Sequence, residues 1–269
     1  MYLFTPNPLS LSGTVTVLLA PSSTAVPASF REVQTDSSGH AHMLAEVQRL
    51  RGRVYLADGA ITERQLTADG RHVQAADASS WHVVMLNPGG KVTGCARYQE
   101  HAPGTSPEGL GVWKSALAHD PTWQDHLRSA VRDEMTLAQQ RGIAFVEVGG
   151  WAVSDEARGT SCALEVALST FALAGRLGGC IGLTTATVRH ASSRMLRKLG
   201  GRPLESAGTE LPAYHDPQYD CMMEILRFDS AEPGGRFAPM LGARADALAA
   251  IPTVVPARPA VAGAAAMAA

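Results

Sequence analysis

Between residues 123 and 200 the sequence alternates helical and strand-like patterns, and a glycine closes each helix. That alternation restricts the chain to folds in which helices connect strands of one sheet. Trp123 to Arg141 carries apolar side chains at Leu127, Val131, Met135 and Ala138, the spacing of one helix face, and Gly142 follows as a stop. Ile143 to Val148 is a strand-like run. Ala163 to Leu177 is an apolar helix ended by Gly178 and Gly179, Cys180 to Thr187 reads as a buried strand, and Ser192 to Leu199 is a helix ended by Gly200.

Upstream, Met43, Leu44, Val47 and Leu50 predict a helix over Ala41 to Arg51 with Gly52 as its stop, and Val54 to Leu56 reads as the start of a strand. His82 to Leu86 and Val92 to Tyr98 flank the turn sequence NPGG (Asn87 to Gly90), which predicts an antiparallel pair. These elements define an α+β domain over residues 41–229 with a mixed central sheet flanked by helices. Residues 1–40 are rich in Ser, Thr and Pro and read as a flexible N-terminal segment. Residues 230–269 are Ala/Pro/Gly-rich, end in AVAGAAAMAA, and read as a C-terminal tail in which ARADALAA (Ala243 to Ala250) has the composition of a short helix. No internal repeat is visible, which argues against a solenoid.

Of the 269 residues 45% are hydrophobic, enough for a sizeable core, and the formal charge of -2 argues against general affinity for nucleic acid phosphates. Cys95, Cys162, Cys180 and Cys221 are widely spaced, without paired C-x-x-C or interleaved histidines, so neither a metal site nor a disulfide framework is expected. They read as free thiols of a reducing, cytoplasmic compartment. The apolar patch Val15 to Ala20 lacks a basic leader and does not read as a cleaved signal. No run approaches the roughly 20 apolar residues that span a bilayer.

The stretch EVGGWAVSDEARGTSCALEVAL, Glu147 to Leu168, carries the chemistry. A strand ends at Val153, a loop carries Ser154 to Arg158, and a helix is expected to begin near Gly159. Unpaired amides at such a start, with the helix dipole and Arg158 beside them, suit a phosphate or pyrophosphate. The small residues Gly159, Thr160, Ser161, Cys162 and Ala163 permit close backbone approach, and they serve ordinary packing equally well. Glu147 lies in an apolar strand, so it either pairs with a base such as Arg97 or works in a site.

Residues 41–229 resemble the GNAT acyltransferase superfamily. In that family's Arg/Gln-x-x-Gly-x-Gly/Ala loop, Arg158, Ser161 and Ala163 occupy the matching places, with Ser161 where Gly is usual. HASSRMLRKLGGRPL is similar to the family's fourth helix, with Leu196 where a tyrosine often protonates the leaving thiolate. RGRVYLADG, WHVVMLNPGGKVTGCARY, EVGGWAV and YHDPQYDCMMEIL look most like the long-chain N-acyl amino acid synthases and the acyl-homoserine-lactone synthases. The resemblance implies amide synthesis from acyl-CoA or an acyl carrier protein, without a metal. It implies a donor site at Trp151, Ala152, Val153, Arg158, Gly159, Thr160, Ser161, Cys162 and Ala163. Glu147 would be the base and Tyr219, or Tyr214, the missing acid, while Arg97 and Tyr55 would contact the acceptor. Arg189, Arg194, Arg197 and Lys198 would dock the carrier protein, unless they form a merely solvated face. The alternatives are an autoinducer synthase, which also needs a site for an S-adenosyl group, and a GNAT-fold binding module without turnover.

Overall fold

The computed structural model describes residues 13–22, 24–189 and 192–257. Its first strand, β1 (Val15–Leu19), is buried throughout, and β2 (Val33–Thr35) is exposed. Asp36 then caps α1 (Ser37–Ala57), its carboxylate accepting from the Gly39 amide at 2.8 Å. The helix runs straight through Gly52, and Val54 to Leu56, read as the start of a strand, form its last turn. Gly52 is needed for close approach instead. A Cβ there would sit 2.4 Å from the Gly70 carbonyl oxygen, so the glycine lets the following loop pack onto the helix.

β3 (Trp81–Leu86) and β4 (Val92–His101) form the expected hairpin, with the Asn87 side chain accepting from the Lys91 amide at 2.9 Å. The alternating stretch follows as α2 (Gln124–Arg141), β5 (Ala144–Val153), α3 (Cys162–Arg176), β6 (Cys180–Thr187) and α4 (Ser192–Lys198). Short strands β7 (Arg202–Pro203), β8 (Glu205–Ser206), β9 (Thr209–Glu210) and β10 (Tyr214–Asp216) lead to β11 (Cys221–Asp229). The described chain closes with α5 (Ala238–Leu248) and β12 (Thr253–Val255).

The main sheet has the order β10-β11-β6-β5-β4-β3-β1-β12-β2, and β7 adds to β11. β5 and β6 are parallel because α3 carries the chain back across the sheet, β12 is parallel to both β1 and β2, and the other pairs are antiparallel. This is the mixed sheet that the sequence predicts. Alternation along β5 sends Phe145 into the apolar cluster with Leu127 and Val131 of α2, and Val146 into the cluster with Val166 and Leu173 of α3. α1 and α2 thus cover one face, and α3 and α5 the other.

The two segments read as tails contribute to this core. β1 lies between β3 and β12, and α5 buries Leu241 and Leu248 in the same cluster as α3. The helix expected at Ala243 to Ala250 is α5, and it begins earlier, at Ala238. The outermost parts of both segments, residues 1–12 and 258–269 including AVAGAAAMAA, lie outside the described residues. Among the described residues, no helix is long and apolar enough to cross a membrane.

Candidate active site

β5 and β6 pair only from Ala144 to Glu147 against Cys180 to Leu183. Beyond that point β6 follows β11 as far as Thr187, while β5 follows β4 to Val153, so the two parallel strands splay. The bend falls at a bulge in which Arg97 faces Gly149 and Cys95 faces Ala152. Gly150, at φ +62, makes this bend possible, and a Cβ there would stand 3.1 Å from Arg51 Nη1 and 3.2 Å from Arg97 Cβ. Past Glu147 the open edge of β5 has the geometry to hydrogen-bond an extended arm laid beside it.

A cavity of about 590 Å³ opens onto this splay. Its inner wall is apolar, with Val146, Val166, Phe171, Leu196 and Phe228 among the lining residues, and its mouth carries Tyr55, Asp58, Arg158, Arg189 and Tyr219. An apolar chamber with a few polar groups at its entrance is the usual form of a small-molecule site. Leu196, at the place where a tyrosine was expected from the family pattern, lines the inner wall from α4.

The expected donor residues divide into two groups. Trp151, Ala152, Val153, Arg158, Gly159 and Ala163 line the cavity. Thr160, Ser161 and Cys162 do not, and the helix starts at Cys162 rather than near Gly159. The Thr160 hydroxyl donates to the Ala157 carbonyl at 2.7 Å, and Ser161 Oγ donates to Glu165 at 2.7 Å. Cys162 packs against β4, where a Cβ on Gly94 would lie 2.8 Å from its sulfur. These three shape the helix start from behind. Glu165 is fully buried in the first turn and sets a carboxylate beside that start.

Arg158 turns across the mouth to Asp58 at 3.2 Å, and Tyr55 donates to the Trp151 carbonyl at 3.2 Å, on the splayed part of β5. Burial, followed by the nearby Tyr219, raises the Tyr55 phenol far above its ordinary range. Burial also raises Tyr219, with Asp216 adding to the shift. Tyr214 sits in the cluster under α2 rather than in the cavity wall.

Glu147, expected as the base, lies outside the cavity. Its carboxylate lies on the α2 face, outside the cavity lining, and accepts from the amides of Gly111 and Val112 at 2.7 Å each, with His101 Nε2 at 3.0 Å. Burial alone would raise its pKa, but His101 and the two amides outweigh it and hold the carboxyl below its ordinary value. Arg97, expected at the acceptor, instead joins a buried network beneath the bend. Asp77 pairs with Arg51 at 2.6 Å and with Arg97 at 3.3 Å, and Gln48 donates to the same carboxylate at 3.0 Å. Burial opposes ionisation of Asp77, and Arg51 overcomes it, so the carboxyl sits well below its ordinary range.

Of the basic cluster, Arg197 pairs with Glu224 at 2.9 Å, Arg194 and Lys198 are exposed on α4, and Arg189 turns into the mouth. Sequence reasoning missed Asp58, Asp77 and Arg51. Asp58-Gly59 is a turn dipeptide, a signal that sequence reasoning passed over, while nothing local distinguishes Asp77 from a solvated carboxylate.

No protein-family profile matches the chain, and no curated protein matches its sequence. Solved structures match its fold. The chain is similar to BjaI, a CoA-dependent acyl-homoserine lactone synthase solved with SAM and isopentyl-CoA, with a TM-score of 0.54 and 15% identity, over 91% of this chain and 94% of that one. It is similar to TofI, solved in a ternary complex with an inhibitor and MTA, with a TM-score of 0.51 and 16% identity, over 88% and 98% of the two chains. A weaker likeness, at a TM-score of 0.45 and 13% identity over 81% and 91%, is to FeeM, an N-acyl amino acid synthase from uncultured soil microbes. The fold is therefore α+β and GNAT-like, a mixed central sheet flanked by helices, and it is shared with an acyl-homoserine lactone synthase.

Proposed function

We propose that this protein is an N-acyltransferase that moves an acyl group, longer than acetyl, from a CoA or carrier-protein thioester to an amine such as that of an amino acid. The observation that carries the proposal is the apolar cavity of about 590 Å³ opening directly onto the splay between β5 and β6. An acyl chain needs such a chamber, since it has no polar atoms to satisfy and gains free energy from leaving water. The pantetheine arm would lie along the open edge of β5 near Trp151 to Val153, with its phosphates toward Arg158 and Gly159.

In this reading the amine enters at the mouth and attacks the thioester carbonyl. The C–N bond forms, the C–S bond breaks, and the ammonium proton leaves to water. An amino group of pKa about 8 is partly unprotonated at neutral pH, so it needs only modest help. The oxyanion is held by a backbone N–H of the splayed strand. Tyr219 faces the cavity and is the candidate donor of a proton to the thiolate.

A second reading keeps the same donor and takes S-adenosylmethionine as the amine, and the fold shared with BjaI along nearly all of both chains favours it. One experiment separates the cases. The protein is incubated with octanoyl-CoA, an octanoyl carrier protein and either mixed amino acids or S-adenosylmethionine, and products are read by mass spectrometry. Amides of amino acids support the first reading and an acyl lactone the second. Donor binding without any product would leave a binding module.

A further inference from the structure

The cavity mouth has two banks. One is the turn after α1, Asp58 to Ala60, and the other is the turn between β10 and β11 that carries Tyr219. Arg189, just past β6, donates from Nη2 to the Asp58 carbonyl at 3.0 Å and to the Tyr219 carbonyl at 3.2 Å. A single guanidinium nitrogen thus holds a carbonyl on each bank. Gln218 Nε2 adds a bond to the Ala60 carbonyl at 2.8 Å, and Arg158 reaches the Asp58 carboxylate at 3.2 Å. Asp58, Ala60, Arg158, Arg189 and Tyr219 all line the cavity, and the bonds of Arg158 and Arg189 are exposed to solvent, which puts them where the cavity opens.

The second bank is built as a small self-contained unit. β10 is the end strand of the sheet and pairs with β11 alone. Its turn is closed internally, because Asp216 Oδ1 accepts from the amides of Gln218 and Tyr219 at 2.9 and 3.1 Å. Asp220 sits at φ +43, one of two non-glycine residues at positive φ among the described residues. The bonds to the opposite bank lie partly or wholly in water, which competes for them and makes them easy to break.

We infer that Arg189 and Gln218 latch the cavity, and that a ligand enters only when the Asp58 to Ala60 turn and the Asp216 to Cys221 turn part. Arg189 is then a positioning residue of the entrance, a different role from the carrier-docking contact expected of it. That the ligand is an acyl thioester rests on the function proposed above, whereas the latch itself does not.

The test follows uptake of Nile red by the full chain in a stopped-flow fluorimeter, with octanoyl-CoA as a second probe. Arg189→Ala should speed both uptake and release by about fivefold, because opening the wild-type mouth must break one of the two exposed hydrogen bonds of Arg189, while the Kd stays nearly constant. A double variant, Asp58→Cys with Gln218→Cys, joined by a short bifunctional thiol reagent, should admit neither probe, and unjoined it should admit Nile red faster than wild type. The native cysteines are all buried and should not compete for the reagent. Nile red entering the joined protein at the unjoined rate would overturn the latch. If Nile red obeys the latch while octanoyl-CoA binds no form of the protein, the latch stands and the acyl-transfer reading falls.

Discussion

A carboxylate inside a sheet must be paired or give up its charge, and Glu147 is paired with two amides and His101. Its carboxylate anchors the segment before α2 to the sheet. Glu147→Gln should therefore cost about 1–3 kcal/mol in urea unfolding, since one amide of the pair would face an NH2 group instead of an acceptor. Binding of octanoyl-CoA should be unchanged; a variant of full stability that had lost turnover would restore Glu147 as the base. The pH dependence has a definite sign. The folded pKa of Glu147 lies below the unfolded value of about 4.3, so its contribution is complete above that pH and is lost as pH falls through the lower folded value. The Gln variant should lack this part of the acid transition. The sequence shows the constraint, a carboxylate in an apolar run, but not its resolution, because Gly111, Val112 and His101 are brought to Glu147 only by folding.

The elements with the clearest local signals are found where the sequence places them. α2, α3, β6 and the β3–β4 hairpin combine an apolar period with a glycine stop or a turn sequence, and both signals act within a few residues. α5 has only a helix-forming composition, and β12 has no local signal. Three residues between prolines make a strand only because β1 and β2 already offer edges on either side. Parallel partners of this kind are joined by long stretches of chain, so their pairing is written in no short window. Leu248→Ala measures how firmly α5 belongs to the domain. The Leu248 side chain is fully buried, and its truncation should cost about 2–5 kcal/mol and lower the urea midpoint without changing the slope. A change near zero would return the segment to the status of a tail.

For the molecule as a whole, the splay joins a polar mouth on one face of the sheet to an apolar chamber under α3 on the other. If that chamber holds the acyl chain, filling it should discriminate among donors by length. Ala167, on α3, lines it, and Ala167→Phe should weaken octanoyl-CoA binding by about tenfold or more, roughly 1.4 kcal/mol, while leaving acetyl-CoA nearly unaffected. Equal losses for both donors, read by titration calorimetry, would place the acyl chain elsewhere. The sequence by itself determined the alternation of helices and strands, the hairpin, the mixed sheet and the stretch from Glu147 to Ala163 at its centre, because periodicity, turn chemistry and helix stops act over neighbouring residues. Only the tertiary structure decided which face Glu147 takes, where β5 leaves β6, that Arg189 turns into the mouth, and that both ends of the described chain enter the sheet. Each of these depends on strand register and on partners distant in sequence, and such pairings are selected by the packing of the complete core.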